Sequence, residues 1–209
     1  MTILGYRTTM SEAVVWTDSE VMKAAGTHCH FRNKMSINPL AGAVLVTTGW
    51  VALAETADRV FAGARDIDEV ADILPKRLRS RTIDLLERRY GLQQAGQQRI
   101  YLIGHSSVAG RLVAYEFHGD NWFEPRLDVR GMSPTVAGSD LPGLPGMLDV
   151  IAIAGEQMRA LQETYPHAEG GMLTVAHIKD GMVTTRPVHD LRKMRLAAEE
   201  LAPLELEAA

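Results

Sequence analysis

The sequence predicts an α+β domain in which two antiparallel sheets are layered with helices. Apolar runs of strand period occur in clusters joined by tight turns, and runs of helical period occur first as a pair and then singly. The resulting order is strands, helix pair, strands, helix, hairpin, whereas a doubly wound parallel sheet would alternate strand and helix. The chain has 209 residues and no internal repeat, low-complexity tract or composition break, so residues 1–209 are expected to form one domain.

Ile3-Leu4-Gly5-Tyr6 and Ala13-Val14-Val15-Trp16-Thr17 are apolar, β-branched or aromatic runs separated by the polar turn Thr9-Met10-Ser11-Glu12, which predicts an opening hairpin. Lys34-Met35-Ser36-Ile37 and Ala43-Val44-Leu45-Val46-Thr47 repeat the pattern around Asn38-Pro39-Leu40. After Gly49 the period changes. Trp50, Leu53, Ala54, Ala57, Val60 and Phe61 fall at helical spacing, with Glu55, Asp58 and Arg59 on the opposite face. Asp66 and Glu69 have capping-box spacing, and Val70, Ile73, Leu74, Leu78, Leu85 and Leu86 carry a second helix toward Gly91, kinked or split at Pro75.

Strands are expected again at residues 99–103, 112–117 and 122–124, the last two joined by Gly119-Asp120-Asn121. The Gly/Pro-rich segment 138–146 then precedes a third helical face of Leu148, Ile151, Ala152, Gly155, Met158 and Leu161. Leu173–Ile178 and Met182–Thr185 read as a hairpin about Asp180-Gly181. The charged C-terminus is expected either to hold a last helix or to fray.

Composition narrows the function classes. The 22 Lys+Arg and 26 Asp+Glu leave a formal net charge of −4 without a block of like charge, which argues against nucleic-acid and membrane-surface partners. A protein or small-molecule partner is expected instead. Cys29 is the single cysteine, so no intramolecular disulfide forms, and a reducing compartment fits. The start of the chain lacks the pattern of a signal peptide, and no apolar run approaches the ~20 residues that span a bilayer. A soluble cytoplasmic protein is expected.

The chemistry centres on Thr2. An N-terminal threonine carries a nucleophilic hydroxyl and, once Met1 is removed, a free α-amine of ordinary pKa about 7.7–8.0 that serves as its base. Methionine before a small residue is the usual substrate of methionine aminopeptidase. Threonine also suits a strand, an aspartate such as Asp18 suits a turn, and a lysine such as Lys34 suits a solvated edge. The three together are more specific. Asp18 ends the second strand and Lys34 begins the third, so both are expected at the same end of adjacent strands as Thr2. A lysine ammonium there depresses the amine's pKa and favours developing negative charge, and an aspartate holds and balances the lysine.

Thr2, Thr17-Asp18-Ser19, Lys34 before a short strand, and Thr47-Thr48-Gly49 leading into a helix with Ala57-Asp58 together resemble the proteasome β-subunit group of N-terminal-nucleophile hydrolases, including bacterial ring-protease and Anbu-type relatives. Counted from Thr2, Asp18 and Lys34 match that family's aspartate and lysine without a gap. The resemblance spans most of the domain and is strongest in the first sixty residues and at Gly138-Ser139, which is similar to the family's Gly-Ser loop. It implies a four-layer αββα sandwich, hydrolysis of peptide or small amide bonds without metal or cofactor, and assembly into a homo-oligomeric ring or related form. It also implies that Gly49 N–H donates to the oxyanion and Ser139 supports the amine. An unfolding ATPase is a conceivable partner that nothing in the sequence encodes. The implied substrate pocket is Val21, Met22, Arg32, Ser36 and Thr47, whose mixed chemistry predicts no sharp preference.

One departure stands out. Before its late Gly-Gly the family has an aspartate and a serine that complete the hydrogen-bond network, and this chain has Tyr165-Pro166-His167-Ala168-Glu169-Gly170-Gly171. His167 or Glu169 is the substitute on offer, and a site without that support is slower, specialised or inactive. The alternative function is therefore a catalytically inactive structural or assembly subunit of the same fold.

Other constellations carry less. Ile103-Gly104-His105-Ser106-Ser107-Val108 half matches the G-x-S-x-G elbow of a serine α/β-hydrolase, but Val108 stands where the closing glycine belongs, and a strand follows instead of a helix. His28-Cys29-His30 lacks the further ligands of a zinc site. The arginines at 77, 79, 81, 88 and 89 fit a solvated helix face better than a site for an acidic partner.

Overall fold

The computed structural model describes residues 2–22, 28–87, 98–128, 130–136 and 143–193. In chain order the elements are β1 (Leu4–Thr8), β2 (Glu12–Thr17), β3 (Glu20–Met22), β4 (His28–Phe31), β5 (Met35–Asn38), β6 (Ala43–Thr48), α1 (Val51–Gly63), α2 (Ile67–Glu87), β7 (Arg99–Ser106), β8 (Arg111–His118), β9 (Pro125–Asp128), β10 (Arg130–Ser133), α3 (Met147–Thr164), β11 (Met172–Lys179) and β12 (Met182–Asp190). Two five-stranded antiparallel sheets result, ordered β10-β1-β2-β11-β12 and β5-β6-β7-β8-β9, and β3 pairs with β4 as a separate ribbon.

Strand alternation builds the layers. Leu4, Tyr6, Ala13, Val15, Ala176 and Ile178 of the first sheet meet Val44, Val46, Tyr101, Ile103, Leu112 and Ala114 of the second in one buried cluster. The intervening residues point outward. Ile3, Val14, Trp16, Leu173 and Val175 pack against Val150, Ala154, Met158 and Leu161 of α3, and Ala43, Leu45, Ile100, Leu102 and Val113 pack against α1 and α2. The four layers are thus α3, sheet, sheet, and the α1/α2 pair, an αββα sandwich.

Several expectations are corrected. The ribbon β3/β4 and strand β10 are additional strands, too short to show a period in sequence. Residues 122–124 are not a strand: Gly119–Asn121 form a 3₁₀ turn, and Trp122 and Phe123 take left-handed φ values of 56° and 62°. That reversal carries Phe123 into the helix-side core, where it is 1% exposed, and the strand begins at Pro125. Pro75 does not split α2, which runs continuously from Ile67 to Glu87 with Leu74 and Leu78 buried on either side. The missing N–H removes one helical bond, and burial of this face keeps the helix whole. At its start Asp66 Oδ1 accepts from Asp68 N at 2.7 Å, while Glu69 Oε2 accepts from Arg65 N at 3.4 Å instead of closing a box on Asp66. Asp180 and Gly181, at φ 50° and 72°, make the expected hairpin turn. Residues 137–142, the end of the predicted second helix toward Gly91, and a last helix beyond 193 lie outside the described residues.

Gly5 fixes how the first sheet meets α3. It is paired with Trp16 in the β1/β2 register, and a Cβ at position 5 would run into the Trp16 ring. Trp16 Nε1 donates to Gln157 Oε1 of α3 at 2.9 Å, and Gln157 Nε2 donates back to Leu4 O at 2.8 Å, so the indole has no room to yield. Gly5→Val is expected to destabilise the protein by about 2–3 kcal/mol, read as a lower midpoint in chemical denaturation, and an unchanged midpoint would refute this account of the layer contact.

Candidate active site

Thr2, Asp18, Lys34 and Gly49 converge because of where strands start and stop. Thr2 precedes β1 and Asp18 follows β2, which places them at one end of the first sheet. Lys34 precedes β5 and Gly49 follows β6, at the corresponding end of the second. The group therefore bridges two facing sheets; it does not lie along adjacent strands of one, as the sequence suggested.

Local bonds hold each member. Asp18 N donates to Ile3 O at 3.1 Å and Thr17 Oγ1 donates to the same carbonyl at 2.9 Å, which locks the end of β2 onto the start of β1. Asp18 Oδ1 accepts from Ile3 N at 2.9 Å and from Lys34 Nζ at 2.8 Å, and Oδ2 accepts from Glu20 N at 3.1 Å. Lys34 Nζ also donates to Thr2 Oγ1 at 3.0 Å. Lys34 O accepts from Thr47 N at 3.2 Å, which ties the lysine backbone to β6.

Thr2, Asp18 and Lys34 are 6%, 2% and 7% exposed, so their electrostatics act in a dry site. Burial pushes the Lys34 ammonium below its ordinary range, against the opposing pull of Asp18. Burial likewise raises the Asp18 carboxyl, and Lys34 with the two backbone N–H groups works the other way. The hydroxyl that would act as nucleophile thus accepts a hydrogen bond from a lysine whose proton is loosened.

Gly49 sits at φ +94°, a conformation that favours glycine, and a Cβ there would lie 2.5 Å from Gln98 Oε1. Gln98 is fully buried, and its Oε1 accepts from Trp50 N at 2.6 Å, so the turn into α1 is fixed from behind. Thr2, Glu20, Val21, Arg32, Lys34, Thr47, Thr48, Gly49, Val51 and Ala54 line a small cleft of about 40 Å³, room for a small side chain. Larger grooves of about 490 and 670 Å³ lie elsewhere, beside α3 and between α1 and α2.

Of the expected pocket residues, Val21, Arg32 and Thr47 line this cleft. Ser36 does not; it donates to Asp58 Oδ1 at 2.7 Å, and Asp58 Oδ2 stands 3.8 Å from Arg32 Nη2. The Met22 side chain and Ser139 lie outside what is described. Neither His167 nor Glu169 is among the lining residues. Their segment approaches through its backbone, where Glu169 N and Gly170 N donate to Glu20 Oε2 at 2.8 and 2.7 Å. Sequence reasoning missed Glu20, whose side-chain partners are backbone groups far along the chain.

Ser106 has a different role. It is fully buried in an antiparallel hairpin between β7 and β8, where it donates to Asp68 Oδ2 at 3.0 Å and accepts from Ala109 N at 2.9 Å. The same carboxylate takes Ser107 Oγ, Val108 N and, through Oδ1, the Tyr115 hydroxyl, bonds that together hold its pKa low despite partial burial. The half-matching elbow is a turn clamped to α2, and the strand-to-helix geometry of a serine hydrolase is not present there. Among the described residues no three His, Cys, Asp or Glu are placed to share a metal, and no helix is long and apolar enough to cross a membrane.

No protein-family model matches the chain, and no curated protein sequence does. A solved structure does: an Anbu (Gly-1) mutant from Hyphomicrobium sp. strain MC1 superposes over 99% of this chain and 100% of its own, with a TM-score of 0.63 at 9% identity. The architecture, end to end, is therefore the αββα fold of that Anbu structure.

Proposed function

We propose that the chain is a threonine peptidase or amidohydrolase that becomes competent when removal of Met1 frees the Thr2 amine. The observation that carries this reading is Lys34 Nζ bridging Thr2 Oγ1 at 3.0 Å and Asp18 Oδ1 at 2.8 Å. In the proposed reaction the α-amine takes the hydroxyl proton as Thr2 Oγ1 attacks the substrate carbonyl, and Lys34 stabilises the developing negative charge on that oxygen. Gly49 N–H donates to the oxyanion. The α-ammonium returns the proton to the leaving amine, giving a threonyl ester, and water activated by the amine hydrolyses it. Ser139 is assigned support of the amine by resemblance to the family. Assembly with further copies would shelter such a site, and an ATPase that delivers unfolded chains is compatible with it.

A second reading, an inactive subunit of the same fold, is favoured by the absence of His167 and Glu169 from the cleft lining. Intact-mass spectrometry and one inhibitor separate the two. The purified native protein is expected to be lighter by one methionine residue, and a β-lactone or epoxyketone is expected to label Thr2. Retention of Met1 throughout, or an unlabelled Thr2 on Met1-free protein, would establish the inactive reading. Lys34→Ala is expected to slow labelling by roughly 10²–10⁴-fold.

The labelling rate should follow a bell in pH. The acid limb reports the Thr2 amine, whose ordinary value is about 7.7–8.0, and the alkaline limb reports loss of the Lys34 proton, below the lysine norm of about 10.4 because the side chain is buried. A rate that keeps rising to pH 11 would remove Lys34 from this role.

The pair also has a stability signature. Asp18 holds its proton more tightly, and Lys34 less tightly, in the fold than in the unfolded chain. The contribution to stability consequently falls as pH rises past the ordinary carboxylate range and recovers only toward the ordinary lysine value. At neutral pH both shifts oppose folding. Asp18→Asn, which strands a buried ammonium, is expected to cost about 3–5 kcal/mol, and adding Lys34→Met is expected to restore most of it in chemical denaturation.

A further inference from the structure

Glu20 is a buried carboxylate that the proposed reaction leaves unused. It is 1% exposed, lines the cleft with Thr2 and Lys34, and lies in the first residue of the β3/β4 ribbon. Its Oε2 accepts both Glu169 N and Gly170 N, and its own N–H donates to Asp18 Oδ2 at 3.1 Å and to Gly170 O at 3.2 Å. Ser19 adds two further ties, N–H to Gly170 O at 3.2 Å and Oγ accepting from Met172 N at 2.9 Å. Gly170 and Gly171 hold φ values of 76° and 70°, and a Cβ on Gly171 would meet Ser19 Oγ at 2.5 Å, so the late loop is docked at backbone distance. Here the family's late aspartate and serine are missing.

We propose that Glu20 is a positioning residue that takes over the missing late network: its carboxylate clamps the 169–170 backbone to the end of β2 and supplies a second negative charge to Lys34. The effect on catalysis rests on the threonine-hydrolase reading above; the clamp and the charge do not. Among the described residues, Lys34 is faced by Asp18 in direct contact, Glu20 acting in the same sense at longer range, Arg32 opposing both, and the Thr2 hydroxyl, which accepts a hydrogen bond from it. A carboxylate near an ammonium favours the charged form, so Glu20 keeps the Lys34 proton on to higher pH.

Two substitutions divide the roles. Glu20→Gln keeps an oxygen that accepts the two N–H groups and removes the charge; Glu20→Ala removes both. Lys34 titration, followed by NMR of its labelled side chain, is expected to move down by about one pH unit in Glu20→Gln. Amide-exchange protection at Glu169 and Gly170 is expected to survive in Glu20→Gln and to drop by roughly tenfold or more in Glu20→Ala. The alkaline limb of Thr2 labelling should follow the Lys34 shift. An unmoved Lys34 titration in Glu20→Gln would overturn the charge role, and intact protection in a folded Glu20→Ala would overturn the clamp. Should Glu20→Ala fail to fold, loss of protection in Glu20→Asp, whose carboxylate is one methylene short, tests the same contact. If wild-type Thr2 is never labelled, the hydrolase reading fails while the titration and exchange results still decide the role of Glu20.

Discussion

The ion pair between Lys34 and Asp18 is the contact on which this arrangement depends. It is buried on both sides, and it joins the end of β2 in one sheet to the start of β5 in the other. Two charges removed from water lose several kcal/mol of hydration each, and their attraction compensates only when the remaining lone pairs and protons are also satisfied. Here they are met by Ile3 N, Glu20 N and Thr2 Oγ1. The pair thereby imposes a tolerance on the whole sandwich, because hydrogen bonds of 2.8–3.0 Å across two sheets do not survive slippage between them.

The inter-sheet core supplies that tolerance. Tyr6 and Tyr101, with ring centroids 5.2 Å apart, stand on opposite sheets and interlock with branched side chains on either side, so that sliding one sheet over the other would open voids. Each sheet is braced on its outer face by a polar residue working inside an apolar layer. Gln157 of α3 bonds Trp16 and Leu4 O, which steadies the strands carrying Thr2 and Asp18. Gln98 bonds Trp50 N and occupies the space beside Gly49, which steadies the turn on the other sheet. Both are fully buried, and each is most useful at the end of the fold where the site lies.

The layers were legible because strand alternation and helical period were undisturbed in the long elements. Leu4/Tyr6 against Ile3/Gly5, and Val44/Val46 against Ala43/Leu45, separate in sequence as they separate in space. What was not legible had short-range causes hidden from periodicity. Trp122-Phe123 has the composition of a strand, but its conformation is set by the 3₁₀ turn before it. β3, β4 and β10 have three to four residues each, at most two periods. At the site, Thr2, Asp18, Lys34 and Gly49 stand at element ends, where a residue's identity and spacing are informative. Glu20 was invisible for the opposite reason: its partners are nearly 150 residues away, at Glu169 and Gly170, and they are backbone groups without a sequence signature.

The charge arrangement carries information that the fold does not. At 9% identity, an end-to-end match to a solved structure reflects layer patterning that many sequences satisfy, since apolar residues of about the right size suffice to fill such cores. A buried lysine bonded to a buried aspartate and a threonine hydroxyl is not a product of patterning. Burial works against the charge on both groups, and replacing a buried ion pair by apolar residues of similar volume is often neutral or stabilising. Stability therefore does not account for the pair, nor for a second carboxylate, Glu20, lining the same cleft. Charge placed where it weakens the fold, next to the Thr2 hydroxyl, is what the proposed hydrolase would need in order to stabilise an oxyanion without help from water.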